Sequence, residues 1–573
     1  MHFSTPYPAL DERKSVVKKY LIFKDQSSQL IQKLFKIKYS KAFRKHEWDF
    51  LDVEKTKVPL KVIESLKIMG INREINGQMN REFTKKLRSL TKLKLHNLSG
   101  RKIIEYASNI RIFKRLKNFI YHHYLDYVKI DNSYTFLLRS LSSLRELQSL
   151  KLTFPQETLT PMMIKVLTLS LSRLTNLEYL NLEFKGLQYI SRRKNLLSPL
   201  PNAIKNLTKL KKFQIDPLFL PDMENFYIEL VRVLQKLPNL TCMSTVLDRD
   251  PYCLAFFRII KNAIKNMTNL EELILALSWK LNVSETLWEI MPRLSKLEKL
   301  SLMPICAVSC GYEFGDWELL SDALKSLPNL TSLEADFEFC QELVPYMLHA
   351  FTDGFSRDNN LTSFSLKINR QDLGQSFSDE LYYFIKCLTK LRHLEIQSSR
   401  NKFVDDEMII KLSEGLEELN QLQKLRLNFD QCDISDCSLK VFNNILKEKK
   451  NLEHLSLSLG STQIGDNGVK GLAKALKKLT NISKLHLNLS VEKTVGYQSV
   501  EKLVRCIAKH LQKALEIKLE VEQLQCQEFT QIKSFLVQNL NPLILDIVGN
   551  DFSDSSDTLS SASFASINSE QDF

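Results

Sequence analysis

The sequence is poor in glycine and has no long apolar run. Only 15 of its 573 residues are glycine, which argues against a glycine-rich loop that holds nucleotide phosphates. No run of about 18 apolar residues occurs, so we expect no transmembrane helix. Met1–Pro8 lacks an apolar core, so we expect no signal peptide. These absences predict an intracellular protein, in the cytoplasm or the nucleus.

Cysteine is absent from the N-terminal part of the chain. None of the 10 cysteines precedes Cys242. The close pairs Cys306/Cys310 and Cys432/Cys437 have no second pair or histidine pair at a zinc-binding distance. We therefore predict reduced, buried thiols and no metal site.

Catalytic motifs are also missing. We find no phosphate-binding loop, no His-Glu-x-x-His, no Gly-x-Ser-x-Gly and no kinase signature. His393, His454 and His486 each adjoin a leucine of a predicted strand, which is typical of a repeat surface. The sequence therefore predicts no enzyme and no cofactor.

A repeated leucine pattern dominates what is present. Leu452–Leu457 has the spacing of a short strand with alternate side chains buried. Gly465–Gly468 supplies a turn, and Asp466 is the predicted N-cap of the following helix. Val469–Leu479 has an apolar helical face, and Leu479–Leu487 begins the cycle again.

The cycle recurs about every 30 residues. From Leu150 to Leu485, one strand position recurs at intervals of 27 to 33 residues, which predicts a solenoid. Leu116–Phe119 with Tyr121 fits a repeat between Leu93 and Leu150. Further copies are predicted at Leu60–Ile68, Leu515–Leu519 and Leu543–Ile547.

Ile464–Leu476, joined to Leu485–Leu487, resembles the ribonuclease-inhibitor-like (RNI-like) class of leucine-rich repeats. Cys432–Asp436, leading into Leu439 and Leu446, is a weaker copy. The resemblance implies an α/β leucine-rich-repeat solenoid, a curved horseshoe with an inner parallel β-sheet and outer helices. It also implies a scaffold that binds macromolecules.

Three regions are predicted. Residues 1–57 form a basic helical N-terminal cap, for which a basic docking helix or an F-box is an alternative. Residues 58–548 form the solenoid of about sixteen repeats, divergent and basic as far as residue 130. Residues 549–573 are rich in serine and aspartate and form a disordered tail, a candidate for phosphorylation.

Basic charge is concentrated at the N-terminal end. Residues 1–130 carry 29 Lys/Arg and 12 Asp/Glu, a net of +17, whereas the whole chain carries +14. Residues 131–573 are therefore near −3. The predicted basic patch, which favours an acidic partner or nucleic acid, comprises Lys85, Lys86, Arg88, Lys92, Arg111, Lys114, Arg115 and Lys117.

Variable positions between the strand leucines are expected to line the concave face. They change from basic, through an apolar patch at Val246, Ile274, Ala276 and Met303, to acidic. Such mixed charge favours a folded protein partner over a polyanion. The predicted contact residues are Lys94, Lys151, Asn181, Glu183, Gln214, Asp216, Ile274, Met303, Glu334, Asp336, Glu395, Arg426 and His486.

The sequence thus predicts a non-enzymatic protein–protein interaction scaffold that binds through its concave face. Three alternatives remain at this point. The first is a substrate adaptor of a ubiquitin ligase. The second is a GTPase-activating protein of the leucine-rich-repeat type, and the third is an RNA-binding component that uses the basic N-terminal region.

Overall fold

The computed structural model describes the repeats from residue 90 to residue 548, with gaps, and two strands before them. The described residues are 47–49, 65–69, 90–96, 100–122, 133–154, 159–184, 196–216, 224–246, 262, 264–278, 288–305, 316–337, 344–355, 359–368, 376–401, 403–490, 495–521, 524–540 and 544–548. Most of the predicted cap and all of the predicted tail lie outside them.

Eighteen parallel strands form one sheet in the described part of the chain. They are β1 Glu47–Asp49, β2 Ser65–Met69, β3 Lys92–His96, β4 Asn118–His122, β5 Ser149–Phe154, β6 Tyr179–Phe184, β7 Lys212–Asp216, β8 Cys242–Val246, β9 Glu272–Ser278, β10 Lys299–Ile305, β11 Ser332–Asp336, β12 Ser363–Lys367, β13 His393–Gln397, β14 Lys424–Asn428, β15 His454–Ser458, β16 Lys484–Asn488, β17 Glu516–Glu520 and β18 Ile544–Val548. The first strand precedes residue 58, where the sequence analysis begins the solenoid.

Each strand pairs with the next one along the chain. Leu394, Leu425, Leu455 and Leu485 occupy the same register position in four successive strands. All four are at most 1% exposed, so these leucines stack into a continuous core column. Strands also occur at the predicted extra copies, including β4, β17 and β18. The predicted α/β leucine-rich-repeat solenoid is therefore confirmed.

Helices connect most of the described strands. They are α1 Gly100–Ile110, α2 Ser133–Leu141, α3 Pro161–Leu171, α4 Leu200–Ile204, α5 Glu224–Leu234, α6 Asp316–Lys325, α7 Val344–Gly354, α8 Phe377–Cys387, α9 Asp406–Glu417, α10 Asp436–Leu446, α11 Asp466–Leu476, α12 Tyr497–His510 and α13 Cys526–Asn539, with a 3₁₀ turn at Met291–Arg293. Each packs an apolar face onto the sheet, as Met408, Leu412 and Leu416 do in α9.

A row of aspartates links the helix starts of neighbouring repeats. Asp406, Asp436 and Asp466 each occupy the first position of a helix. The Asp436 carboxylate accepts hydrogen bonds from the Gly465 and Gly468 amides of the next repeat, at 2.8 and 2.9 Å. Each aspartate thus satisfies amide donors that the following helix start leaves unpaired.

The prediction that Asp466 caps its own helix is wrong. Gly465 is the N-cap of α11, and Asp466 Oδ1 accepts a hydrogen bond from the Gly496 amide, 2.9 Å away in the next repeat. Aspartate is a common N-cap, but here its carboxylate contacts the following repeat. The helix therefore begins one residue earlier than the capping preference suggests.

Parallel strands fix where the connections lie. Because all strands run in one direction, every turn from a helix into a strand lies along the same edge of the sheet, which is formed by the N-terminal ends of the strands. Every connection from a strand into a helix lies at the opposite edge. The fold thus presents a face of outward strand residues and two edges of different composition.

Candidate functional site

The outward-facing strand residues form three rows across the sheet. In β14, Lys424, Arg426 and Asn428 face outward, while Leu425 and Leu427 are buried. Strict register aligns such positions between strands, so that Glu395 pairs with Arg426 and Arg426 with Ser456. Side chains thirty residues apart in sequence therefore become neighbours. This face is the predicted binding surface.

A polar cluster occupies the face at β5–β7. Glu183 Oε1 lies 2.8 Å from Lys151 Nζ, and Glu183 Oε2 accepts a 2.8 Å hydrogen bond from the Thr153 hydroxyl. Asn181 Nδ2 donates to Gln214 Oε1 at 3.0 Å. The predicted contact residues Lys151, Asn181, Glu183 and Gln214 are therefore bound to one another.

Burial removes two of these residues from contact with solvent. Asn181 is 1% exposed and Glu183 is 7% exposed. Burial alone would raise the pKa of Glu183, but the Lys151 ammonium and the Thr153 hydroxyl more than offset this, and the pKa is lowered. Buried side chains cannot contact a partner without rearrangement. The contact surface proposed below therefore excludes Asn181 and Glu183.

The middle of the face combines apolar side chains with one ion pair. Ile274 and Met303 are half-buried. Lys212 Nζ and Glu272 Oε2, on β7 and β9, are 3.1 Å apart across the intervening β8. Cys242 on β8 pairs with Lys212 on one side and with Glu272 on the other. Burial raises the pKa of its thiol well above the ordinary value, which makes this cysteine unreactive at neutral pH.

The predicted acidic part of the face holds a lysine at its centre. Lys367 Nζ lies 2.9 Å from Glu334 Oε1 and 3.8 Å from Asp336 Oδ2. Burial lowers the pKa of Lys367, but the carboxylates of Glu334, Asp336 and Glu395 more than offset it and raise the pKa overall. Lys367, which follows Glu334 by 33 residues, occupies one of the variable strand positions but is not among the predicted contact residues. Its register opposite Asp336 is the signal that would have identified it.

Exposed cations lie on the face at β14–β16. The side chain of Arg426 is 65% exposed and that of Lys484 is 47% exposed, and Lys424 is also exposed. Arg426 approaches Glu395 at 3.5 Å, and Lys484 approaches Glu516 at 3.3 Å. Among the predicted contact residues, Lys94 and Lys151 are half-buried and Arg426 is the exposed cation.

These charges act on ionisable groups of the neighbouring strands. Burial, followed by the charges of Lys424 and Lys484, lowers the pKa of His454 to about 4. His486 Nε2 lies 3.2 Å from Glu516 Oε1. This hydrogen bond, together with the Lys484 charge, lowers the pKa of Glu516 to about 2 although burial opposes the shift. The Lys484 charge therefore acts on both His454 and Glu516.

The predicted basic patch divides between two surfaces. Lys92 and Lys94 are half-buried in β3 on the sheet face. Arg111, Lys114, Arg115 and Lys117 are exposed in the turn between α1 and β4. Lys85, Lys86 and Arg88 lie outside the described residues, as does the side chain of Asp216.

The edge where helices lead into strands is basic along much of its described length. We call these turns the helix-to-strand edge. Their described residues include seven acidic residues and twenty basic ones, a net of +13. The acidic residues are Glu146, Glu178, Glu271, Glu298, Glu418, Glu448 and Glu453. The basic residues are Arg111, Lys114, Arg115, Lys117, Arg145, Arg173, Lys205, Lys209, Lys211, Lys236, Lys265, Lys296, Lys390, Arg392, Lys447, Lys449, Lys450, Lys477, Lys478 and Lys513.

The described connections of the opposite edge, which lie mainly after β13, β14 and β15, have the reverse sign. They carry Arg400 and three aspartates, Asp405, Asp430 and Asp433. The structure thus separates charge between the two edges as well as along the chain.

Neither a metal-binding cluster nor a membrane-spanning helix occurs among the described residues. No group of three or more His, Cys, Asp or Glu side chains there is arranged to hold a metal ion. No helix among them is both long and apolar enough to cross a membrane.

Comparisons with known proteins give little further information. No protein-family model matches the chain, and no curated protein does. Among solved structures, the chain is similar to one titled "Crystal structure of Rad7 and Elc1 complex in yeast". The identity is 14%, the TM-score is 0.36, and the likeness covers 84% of this chain and 90% of that one. A likeness of that size says nothing about what this chain binds.

Proposed function

We propose that the protein is a non-enzymatic interaction scaffold of the RNI-like type that binds a protein partner on its concave face. The observation that carries this proposal is the register. It aligns outward side chains of successive strands into continuous rows before any partner arrives. A pre-formed surface avoids much of the ordering cost of association.

The contact surface is narrower than the sequence predicts. Accessible side chains are concentrated at β13–β16, where Lys424, Arg426 and Lys484 are exposed. Glu395 and His486 accompany them, half-exposed, on the same strands. Cations interspersed with a carboxylate suit a folded partner with complementary charges. Ile274 and Met303 extend the surface toward the N-terminal repeats.

An intracellular location agrees with the thiols of the described residues. The five cysteines whose side chains are described are unpaired. Cys242 and Cys432 are buried, which raises the pKa of each thiol, whereas Cys437 is exposed, contrary to the predicted burial. We propose that the protein acts in the cytoplasm, with the nucleus as the alternative.

Partner capture tests the proposal. The tagged full chain is compared with a Lys424→Ala/Arg426→Ala variant in purifications from native cells. Removing two exposed central contacts reduces the captured partner by about tenfold or more. The control variant Lys440→Ala/Lys502→Ala removes two exposed helix lysines and retains capture. If the Lys424→Ala/Arg426→Ala variant captured as much partner as the control variant and the full chain, the concave face would not be the binding site.

The alternative functions are tested in parallel. A ligase core subunit in the eluate, retained by both variants, would favour the ubiquitin-ligase adaptor. Acceleration of GTP hydrolysis by the eluate would favour the GTPase-activating protein. Loss of all partners on nuclease treatment would favour RNA-mediated binding.

A further inference from the structure

The charge of the helix-to-strand edge exceeds what the fold requires. Aligned helices place the negative ends of their dipoles at this edge, and basic residues there are stabilising. Thirteen described helices, at roughly half an elementary charge each, give roughly six negative charges. The net of +13 on the described turn residues is about twice that number. Helix-dipole compensation therefore does not account for all of the basic residues.

Some edge lysines have structural partners, and others have none. Lys209, Lys296 and Lys390 each bond to an asparagine Oδ1 of the preceding repeat, at 2.8 to 3.2 Å. By contrast, no ion pair or hydrogen bond joins the side chains of Arg111 and Lys114 to another described residue. The densest cluster on the edge is therefore exposed and uncompensated.

We propose that the helix-to-strand edge binds the phosphate backbone of a nucleic acid, independently of the protein partner on the concave face. From β4 to β18 the strands advance by fourteen steps of about 4.8 Å, so the edge is roughly 65 Å long. Basic side chains recur along this length, and the duplex presents a phosphate every 3.4 Å or so along each strand. Contacts of this kind position a nucleic acid without reading its sequence.

A groove on the same edge adds the uncharged side-chain amides of Gln421 and Gln423, whereas Asn451 and Ser483 there donate to backbone carbonyls of the preceding repeat. The groove is open and polar, and it is lined by Arg392, Gln421, Gln423, Asn451, Glu453 and Ser483. Amide groups are regular phosphate ligands beside arginine and lysine. No aromatic side chain lines this groove, so the surface offers backbone contacts rather than base stacking there.

Two other anionic partners fit the edge less well. A membrane surface favours apolar side chains among the cations. Leu515 is the one large apolar side chain exposed on the described turns of this edge. An acidic protein with a standard interface covers only about 800 Å² on each partner. A basic strip distributed along the solenoid is longer than such a footprint requires.

Salt-dependent binding tests the proposal on the full chain. The probes are a mixed-sequence duplex of about 20 base pairs, matched to the edge length, and a single strand of equal length. The triple variant Arg111→Gln/Lys114→Gln/Arg115→Gln removes three phosphate contacts. We expect the slope of log K against log salt to lose about one unit per contact, and the affinity to fall at least about tenfold.

A matched control separates this site from overall charge. Lys165→Gln/Lys440→Gln/Lys502→Gln removes the same charge from exposed positions within α3, α10 and α12, and it retains both slope and affinity. Equal losses in the two triple variants would overturn the proposal. So would binding to vesicles containing phosphatidylserine without binding to either nucleic acid, or no binding at low salt. Because the Arg111 variant leaves the concave face intact, partner capture by this variant tests the scaffold function separately.

Discussion

At the scale of single residues, Gly468 shows how closely neighbouring repeats approach. A Cβ at this position would lie 2.5 Å from Asp436 Oδ1 and 2.9 Å from Leu439 Cδ2. We expect Gly468→Ala to lower the free energy of unfolding by about 1–3 kcal/mol, because the preceding repeat cannot yield without strain. Chemical denaturation measures the change.

Gly496→Ala provides the comparison for that substitution. A Cβ at Gly496 would lie at least 3.7 Å from the Asp466 carboxylate oxygens. The φ of −81° at this position suits any residue. Because glycine is favoured over alanine at an N-cap, the unfolding free energy should fall by no more than about 1 kcal/mol. Equal destabilisation by the two substitutions would contradict the close approach at Gly468.

The carboxylate of Glu516 links stability to pH. Its folded pKa is about 2, against 4.5 for the ordinary group. A lowered folded pKa stabilises the protein above pH 4.5, and this contribution disappears as the pH falls through about 2. Glu516→Gln should therefore reduce the loss of stability between pH 6 and pH 3, by up to about 2 kcal/mol. Urea denaturation at the two pH values measures it.

Glu414→Gln removes an exposed carboxylate from α9 and serves as the control. It should leave the difference between the two pH values as in the unmodified protein. A Glu516 variant with an unchanged pH dependence would show that the His486 and Lys484 contacts do not stabilise the fold.

Among single residues, Asp466 shows where the sequence was insufficient. The Gly-Asp-x-Gly turn predicted a helix start within one residue of the observed one. The predicted N-cap was wrong because the amide donor to the Asp466 carboxylate lies in the next repeat, thirty residues further along. Capping preferences describe a helix by itself and do not include that neighbour.

At the scale of elements, the aspartate row couples successive helices. Asp406 accepts hydrogen bonds from the Ser435 amide and from the Ser435 and Ser438 hydroxyls. We expect Asp406→Ala to cost about 1–2 kcal/mol, as loss of a helix cap does. The adjacent exposed Glu407→Ala should cost less than about 1 kcal/mol, since it loses only a dipole interaction. Equal effects in denaturation experiments would contradict the coupling.

Strands were more predictable than the chemistry of their outer face. Buried leucines recur with a fixed period, so their positions followed from spacing alone, as Leu425 and Leu455 illustrate. The burial of Asn181 and Glu183 did not follow, because it depends on Lys151, Thr153 and Gln214 in neighbouring strands. Spacing identifies which residues face outward but not which of them bond to one another.

At the scale of the whole molecule, charge is distributed over the folded surface differently from the way it is distributed along the sequence. Residues 131–573 sum to about −3, which suggested that the basic character belonged to one end. Among the described residues, the fold instead gathers basic residues of many repeats at one edge and the aspartates that follow β13 and β14 at the other. A sum over sequence segments hides this separation, because each repeat contributes to both edges.

The most direct test of the account maps the lysines that a captured partner covers. The partner complex and the free protein are acetylated under mild conditions, and modification is read by mass spectrometry. Lys424 and Lys484 on the concave face should lose reactivity in the complex, whereas Lys440 and Lys502 on the helices should react as before. Protection of the helix lysines with continued reactivity of Lys424 and Lys484 would contradict binding through the concave face.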